Sequence, residues 1–220
     1  MNQRLEWVLG LTSFAAGSVD VASFAKLGGV LASAMTGNIA LLGLYAGRGS
    51  AAALSSAIAL LAFFTGASIG AWSARRHSQE RALTLLMTIE LMLLTMGALL
   101  WLAAGKPAGG MGGNGVIILL ALAMGLQIIA GRQLNLANVP TVVFTSTLAN
   151  MATGVVDSLK HRIWPPRDVW RQGAAILLYF CGALTAGLCV FIGTSAVMLL
   201  PAMAIGAALA LLGLRQADPQ

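Results

Sequence analysis

A chain of 220 residues in which 58% are hydrophobic and 9% charged has too little polar surface to cover a soluble globule, whose charged fraction is about 25%. The same composition excludes a disordered chain, which is polar and poor in large apolar residues. The excess of basic over acidic residues, 13 to 7, suits cytoplasmic loops and the anionic inner leaflet better than nucleic acid. The expectation is therefore an all-α, polytopic transmembrane helix bundle forming one membrane domain over residues 1–220.

A spanning helix needs about 20 mostly apolar residues. In chain order the hydrophobic stretches are Leu5–Gly47, Ala51–Ala74, Arg81–Ala104, Asn114–Leu159, Arg171–Phe191 and Gly193–Leu214. Four of them fit one span each. Leu5–Gly47 and Asn114–Leu159 are too long, and each is either two spans or one span followed by a re-entrant segment. Arg4 ahead of the first apolar run imitates a signal peptide, but with further hydrophobic stretches downstream a retained first span is expected.

Charge placement bears on the choice. With eight spans and a cytoplasmic N-terminus, eight Lys and Arg lie inside and five outside. With six spans and two re-entrant segments only Lys26, Arg48 and Lys106 lie outside, and the other ten lie inside. The second arrangement obeys the positive-inside rule better; eight spans stay open. In both, the N- and C-termini are cytoplasmic.

The two long stretches also look like copies. Ala15-Ala16-Gly17-Ser18 resembles Ala123-Met124-Gly125-Leu126, Thr36-Gly37-Asn38 resembles Thr145-Ser146-Thr147, and Phe63-Phe64-Thr65-Gly66-Ala67 resembles Tyr179-Phe180-Cys181-Gly182-Ala183. The order is kept, so residues 1–104 and 114–214 are expected to be repeats. Three spans per repeat makes them inverted, as in many transporters; four makes them parallel. Arg75 to Glu80 reads as a polar turn, and Lys160 to Arg167 as a basic loop broken by Pro165 and Pro166. Gly105 to Gly115 reads as a flexible connection, since no Gly-Lys-Ser/Thr follows to make a phosphate loop.

Candidate functional residues are polar groups at membrane depth. Asp20 lies on a small, polar helix face with Ser13, Ala16, Gly17 and Ser23. A carboxylate there is costly and faces the bundle interior, as part of a cation or solute path or as one half of a structural pair. Glu90 sits mid-segment among Leu83, Met87, Leu94 and Gly97, able to carry a proton or to bond a neighbouring helix. In Thr36-Gly37-Asn38 the glycine permits a backbone break, and Asn38 offers both donor and acceptor. Such breaks survive in a membrane only where protein or a water cavity satisfies them. Thr145 and Thr147 would present hydroxyls at the duplicate position. Asp20 and Asn38 are expected to line one shared polar cavity. Gln127, Arg132, Asn135 and Asn138 crowd one segment end, with Arg132 either a partner for Asp20 or a snorkelling cation.

Cys181 and Cys189, eight residues apart on one helix, are separated by about 12 Å and cannot bridge. Two cysteines make no metal site, and no cofactor is expected. The G-x-x-x-G pairs Gly43/Gly47 and Gly66/Gly70 permit close helix contact within the chain or across a homodimer. No H-E-x-x-H or Gly-x-Ser-x-Gly occurs, so an enzyme is not expected.

With Gly17-Ser18-Val19-Asp20 followed by Met35-Thr36-Gly37-Asn38, and with Gly125-Leu126-Gln127 in the second half, the chain resembles the YoaK family of bacterial membrane proteins, a domain of unknown function. Thr145-Ser146-Thr147 departs from the family's usual Thr-Gly-Thr. The resemblance implies an inner-membrane protein with about six spans and supplies no substrate. The residues themselves favour a small-solute transporter or channel-like protein that meets membrane lipids and an unknown solute or ion. The alternative is a non-catalytic membrane scaffold whose polar groups only hold helices together.

Overall fold

The computed structural model describes residues 3–108, 110–134 and 144–216. Its regular elements among these residues are helices: α1 Gln3–Lys26, α2 Met35–Gly47, α3 Ala52–Arg76, α4 Gln79–Ala103, α5 Gly110–Gln133, α6 Phe144–His161, α7 Arg167–Phe191 and α8 Leu200–Gln216, with a 3₁₀ turn at Ser195–Met198. α1 and α5 are the most enclosed of the long helices, whereas α3 and α7 turn large apolar side chains such as Leu61, Phe64, Phe180 and Leu184 outward.

Side-chain contacts give the helix directions. α1 and α7 run parallel: Glu6 pairs with Arg171 at 2.8 Å near both N-termini, and Gly10 and Gly17 then meet Leu178 and Tyr179 in turn. α3 and α5 are also parallel. Ser55 Oγ donates to Asn114 Oδ1 at 2.7 Å near their starts, Gly70 lies on Ile129, and Gln79, just past α3, donates to the Gln133 carbonyl. α4 runs antiparallel to α5, with Gly97 against Leu120 and Gly115 against Leu100. α8 packs on α1 and α4.

Lipid tails are as apolar as leucine, so close van der Waals packing must hold such helices together. Two glycine pairs provide it. A Cβ on Gly17 would strike the Tyr179 carbonyl oxygen, and one on Gly182 would strike that of Phe14. Likewise a Cβ on Gly66 would strike the Leu122 carbonyl oxygen, and one on Gly125 that of Phe63. Each crossing joins a helix from one half of the chain to a helix from the other.

The bundle thus has two ends. The end of α1, the starts of α3 and α5 and the end of α4 share one, where Gly28 approaches the Ala108 backbone. That end collects Lys26, Arg48 and Lys106; the other ten Lys and Arg lie toward the opposite end.

Three stretches differ from the sequence expectation. Gly110–Gly115 belongs to α5 rather than to a flexible connection, because Gly112, Gly113 and Gly115 let the start of the helix settle against Pro107, Ala108 and Leu100. The stretch Gly193–Leu214 is not one helix. Gly193 turns at φ +74°, Thr194 Oγ1 accepts from the Ala196 N–H, and α8 starts only at Leu200, with Pro201 in its first turn. α7 starts at Arg167, ahead of its apolar run, behind the extended Pro166.

Candidate functional site

α1 ends where Gly28 and Gly29 adopt φ +83° and +78°, and the Gly29 N–H donates back to the Phe24 carbonyl at 3.0 Å. The chain from 27 to 34 is then non-helical yet enclosed, with Leu27, Val30, Ala32 and Ser33 all buried. Its backbone groups cannot go to water and need internal partners.

Asp20 and Asn38 supply them. Asp20 Oδ1 accepts from the Ser33 N–H at 2.7 Å, and Oδ2 accepts from Ser33 Oγ at 2.6 Å and from Tyr179 Oη at 2.7 Å. Asn38 Oδ1 accepts from the Leu31 N–H at 2.9 Å while its Nδ2 donates to the Leu31 carbonyl at 2.6 Å. The two side chains therefore clamp one segment at positions two residues apart. Tyr45 Oη donates to the Gly29 carbonyl at 3.2 Å, so α2 heads back toward the Gly28-Gly29 turn.

Asp20 and Asn38, expected to line one shared polar cavity, both hold one buried backbone segment, and these hydrogen bonds go to the protein itself. Of the motif around Asn38, Thr36 is exposed, and Gly37 makes room for the Leu31 side chain. The partners of Asp20 are Ser33 and Tyr179, whereas Arg132 stands in the last turn of α5 at the opposite end. Charge pairing drew attention to Arg132; the hydroxyls carried no such signal, although Ser33 follows a Gly-Gly turn that makes a return to Asp20 geometrically available.

Glu90 and Gln127 make a second polar centre. Both are fully buried. The α4–α5 contacts at Gly97 and Gly115 set the register, which puts Glu90 at the level of Gln127 on the neighbouring helix. Gln127 Nε2 donates to the Thr12 carbonyl of α1 at 2.9 Å, which ties α5 to α1. Among the described residues, neither oxygen of the Glu90 carboxyl has a hydrogen-bond partner, nor does Gln127 Oε1.

The remaining candidates are dispersed. Thr147 is buried and Thr145 exposed on α6, and Asn135 and Asn138 lie outside the described residues. Cys181 and Cys189 are free. Of the glycine pairs, Gly66 and Gly70 are used inside the chain against α5, whereas Gly43 and Gly47 face open space. An open cleft of about 470 Å³ runs between α1 and α7 past Glu6, Gly10, Trp170, Arg171 and Leu178, away from both polar centres. Among the described residues no group of three or more His, Cys, Asp and Glu could hold a metal ion.

Five helices, α1, α3, α4, α5 and α7, are long and apolar enough to cross a membrane, and α8 contributes a shorter apolar stretch, Leu200–Gly213. With an outward apolar surface around buried polar centres, the chain is a multi-pass helical membrane protein. It matches the family described as Protein of unknown function (DUF1275) over residues 8–212. It is also 32% identical over 189 residues to the UPF0700 transmembrane protein YoaK of Bacillus subtilis (strain 168), covering 82% of each chain. The chain belongs to this family. No solved structure matches it.

Proposed function

We propose that the protein is a small-solute transporter of the bacterial inner membrane, built from inverted repeats over residues 1–104 and 114–214, with no enzymatic activity. α1, α3, α4, α5, α7 and α8 are its six spans. The segment 27–34 with α2, and the helix α6, are its two re-entrant elements. The observation that carries this reading is the pair of glycine crossings, Gly17 with Gly182 and Gly66 with Gly125, which interlace the two halves. α1 and α5 occupy equivalent places in the two halves and run in opposite directions. Inverted halves packed in this way are a common frame for alternating access, with solute and coupling-ion sites near the midplane.

Two further observations support the reading. The ten-to-three distribution of Lys and Arg between the bundle ends fits cytoplasmic N- and C-termini. The buried, non-helical segment held by Asp20 and Asn38 resembles the broken backbone that lines transporter sites.

A second reading, a membrane scaffold, is favoured by one observation: the hydrogen bonds of Asp20 and Asn38 go to the protein itself. Purified protein in liposomes, offered a panel of solutes with and without a pH gradient, separates the two. Saturable uptake that Glu90→Gln abolishes without loss of folded protein is expected of the transporter. A scaffold gives no uptake with any solute.

A further inference from the structure

We propose that Glu90 is a proton-binding site of the membrane domain, with Gln127 as the fixed acceptor beside it, and that the coupling ion of the transporter is H⁺. The inference deepens the transporter reading and rests on it for its meaning, but its readout requires no solute.

Three oxygen atoms, Oε1 and Oε2 of Glu90 and Oε1 of Gln127, are buried without a hydrogen-bond donor among the described residues. An ionised carboxylate in such a place is uncompensated and costs several kcal/mol, roughly, whereas a proton converts one of its oxygens from acceptor to donor. Gln127 fixes the direction of that donation. Its Nε2 is engaged by the Thr12 carbonyl of α1, so its amide oxygen is left as the acceptor at the level of Glu90.

Among the described residues, no Lys or Arg stands at the level of Glu90 on the elements packed against α4. α3 carries Arg75 and Arg76 only in its last turn, α5 carries Arg132 only in its last turn, and α8 has Arg215 near its end. The 3₁₀ turn Ser195–Met198 has no ionisable residue, and the other ionisable residues of α4, Glu80 and Arg81, lie in its first turn. A metal cation is the poorer fit, since a hard ion requires a full shell of oxygen ligands. The buried neighbours on α4 and α5 are Leu86, Met87, Leu94, Leu120 and Met124.

The Ser56 and Ser73 hydroxyls, toward the two ends of the buried face of α3, are also without partners.

Infrared difference spectroscopy on the full-length protein in liposomes tests the proposal. Wild type should show a carboxylic-acid C=O band that shifts in D₂O and that Glu90→Gln lacks but Asp20→Asn retains. Beyond the midpoint its amplitude should fall about tenfold per pH unit, unchanged by Na⁺. Should Glu90→Gln fail to fold, wild type treated with dicyclohexylcarbodiimide should carry the adduct on the Glu90 peptide, with less labelling as the pH rises. Absence of the band at every pH overturns the proposal, as does its suppression by Na⁺ at fixed pH. A band without uptake of any solute defeats the transporter reading alone, and uptake without the band defeats the proton site alone.

Discussion

Tyr179 on α7 donates its hydroxyl to Asp20 on α1 at 2.7 Å, close to where Gly17 and Gly182 let the two helices touch backbone to backbone. A single bond thus links the second half of the chain to the carboxylate that also holds Ser33. The position of the buried segment 27–34 is therefore tied to the seating of α7 on α1.

Tyr179→Phe removes a hydroxyl donor from a buried carboxylate and is expected to destabilise the protein by about 1–3 kcal/mol. Ser33→Ala should cost a similar amount, and the double variant less than the sum, because both act on one carboxylate. Thermal unfolding in detergent measures this. Additive losses would mean that the two hydroxyls do not share Asp20.

Gly17→Ala and Gly125→Ala each place a methyl group against a backbone carbonyl of the crossing helix. Backbone cannot swing aside as a side-chain end can, so losses of about 3 kcal/mol are expected, the upper part of the usual overpacking range. Gly187→Ala, with nothing within 4 Å of its would-be Cβ, should leave the melting temperature unchanged. Equal tolerance at all three positions would argue against the interlaced packing.

Asn38→Ala strands the N–H and C=O of Leu31 inside the protein. The segment 27–34 should then open more often, at a cost of about 1–3 kcal/mol per stranded group. A cysteine at buried Ala32, in a background lacking Cys181 and Cys189, should react with a small maleimide several-fold faster when Asn38 is Ala. Unchanged reactivity would show that the clamp at Leu31 is dispensable.

Single cysteines at Arg48, Arg132 and Arg162 test the orientation of the bundle. An impermeant thiol reagent applied outside intact cells should label position 48 only. Labelling at 132 or 162, but not both, would mean that the chain between them crosses the membrane.

Asp20, Asn38 and the glycines were legible in the sequence because each breaks a local rule: a charge, a bifunctional amide or a missing side chain within an apolar run. The membrane class followed from composition, since too few charges exist to face water. Segment lengths and the bias of Lys and Arg favoured re-entrant elements for similar reasons of solvation. What these signals could not reveal was partnership. Ser33 and Tyr179 are ordinary residues in an apolar chain, and they meet Asp20 only because the chain doubles back after Gly29 and because α7 crosses α1 at Gly17. Likewise the paired levels of Glu90 and Gln127 follow from the antiparallel register of α4 on α5. Sequence periodicity assigns a residue to a face of its own helix. Which other helix meets that face, and at what height, depends on how small residues from distant parts of the chain let two backbones approach, and that was decided in the tertiary structure.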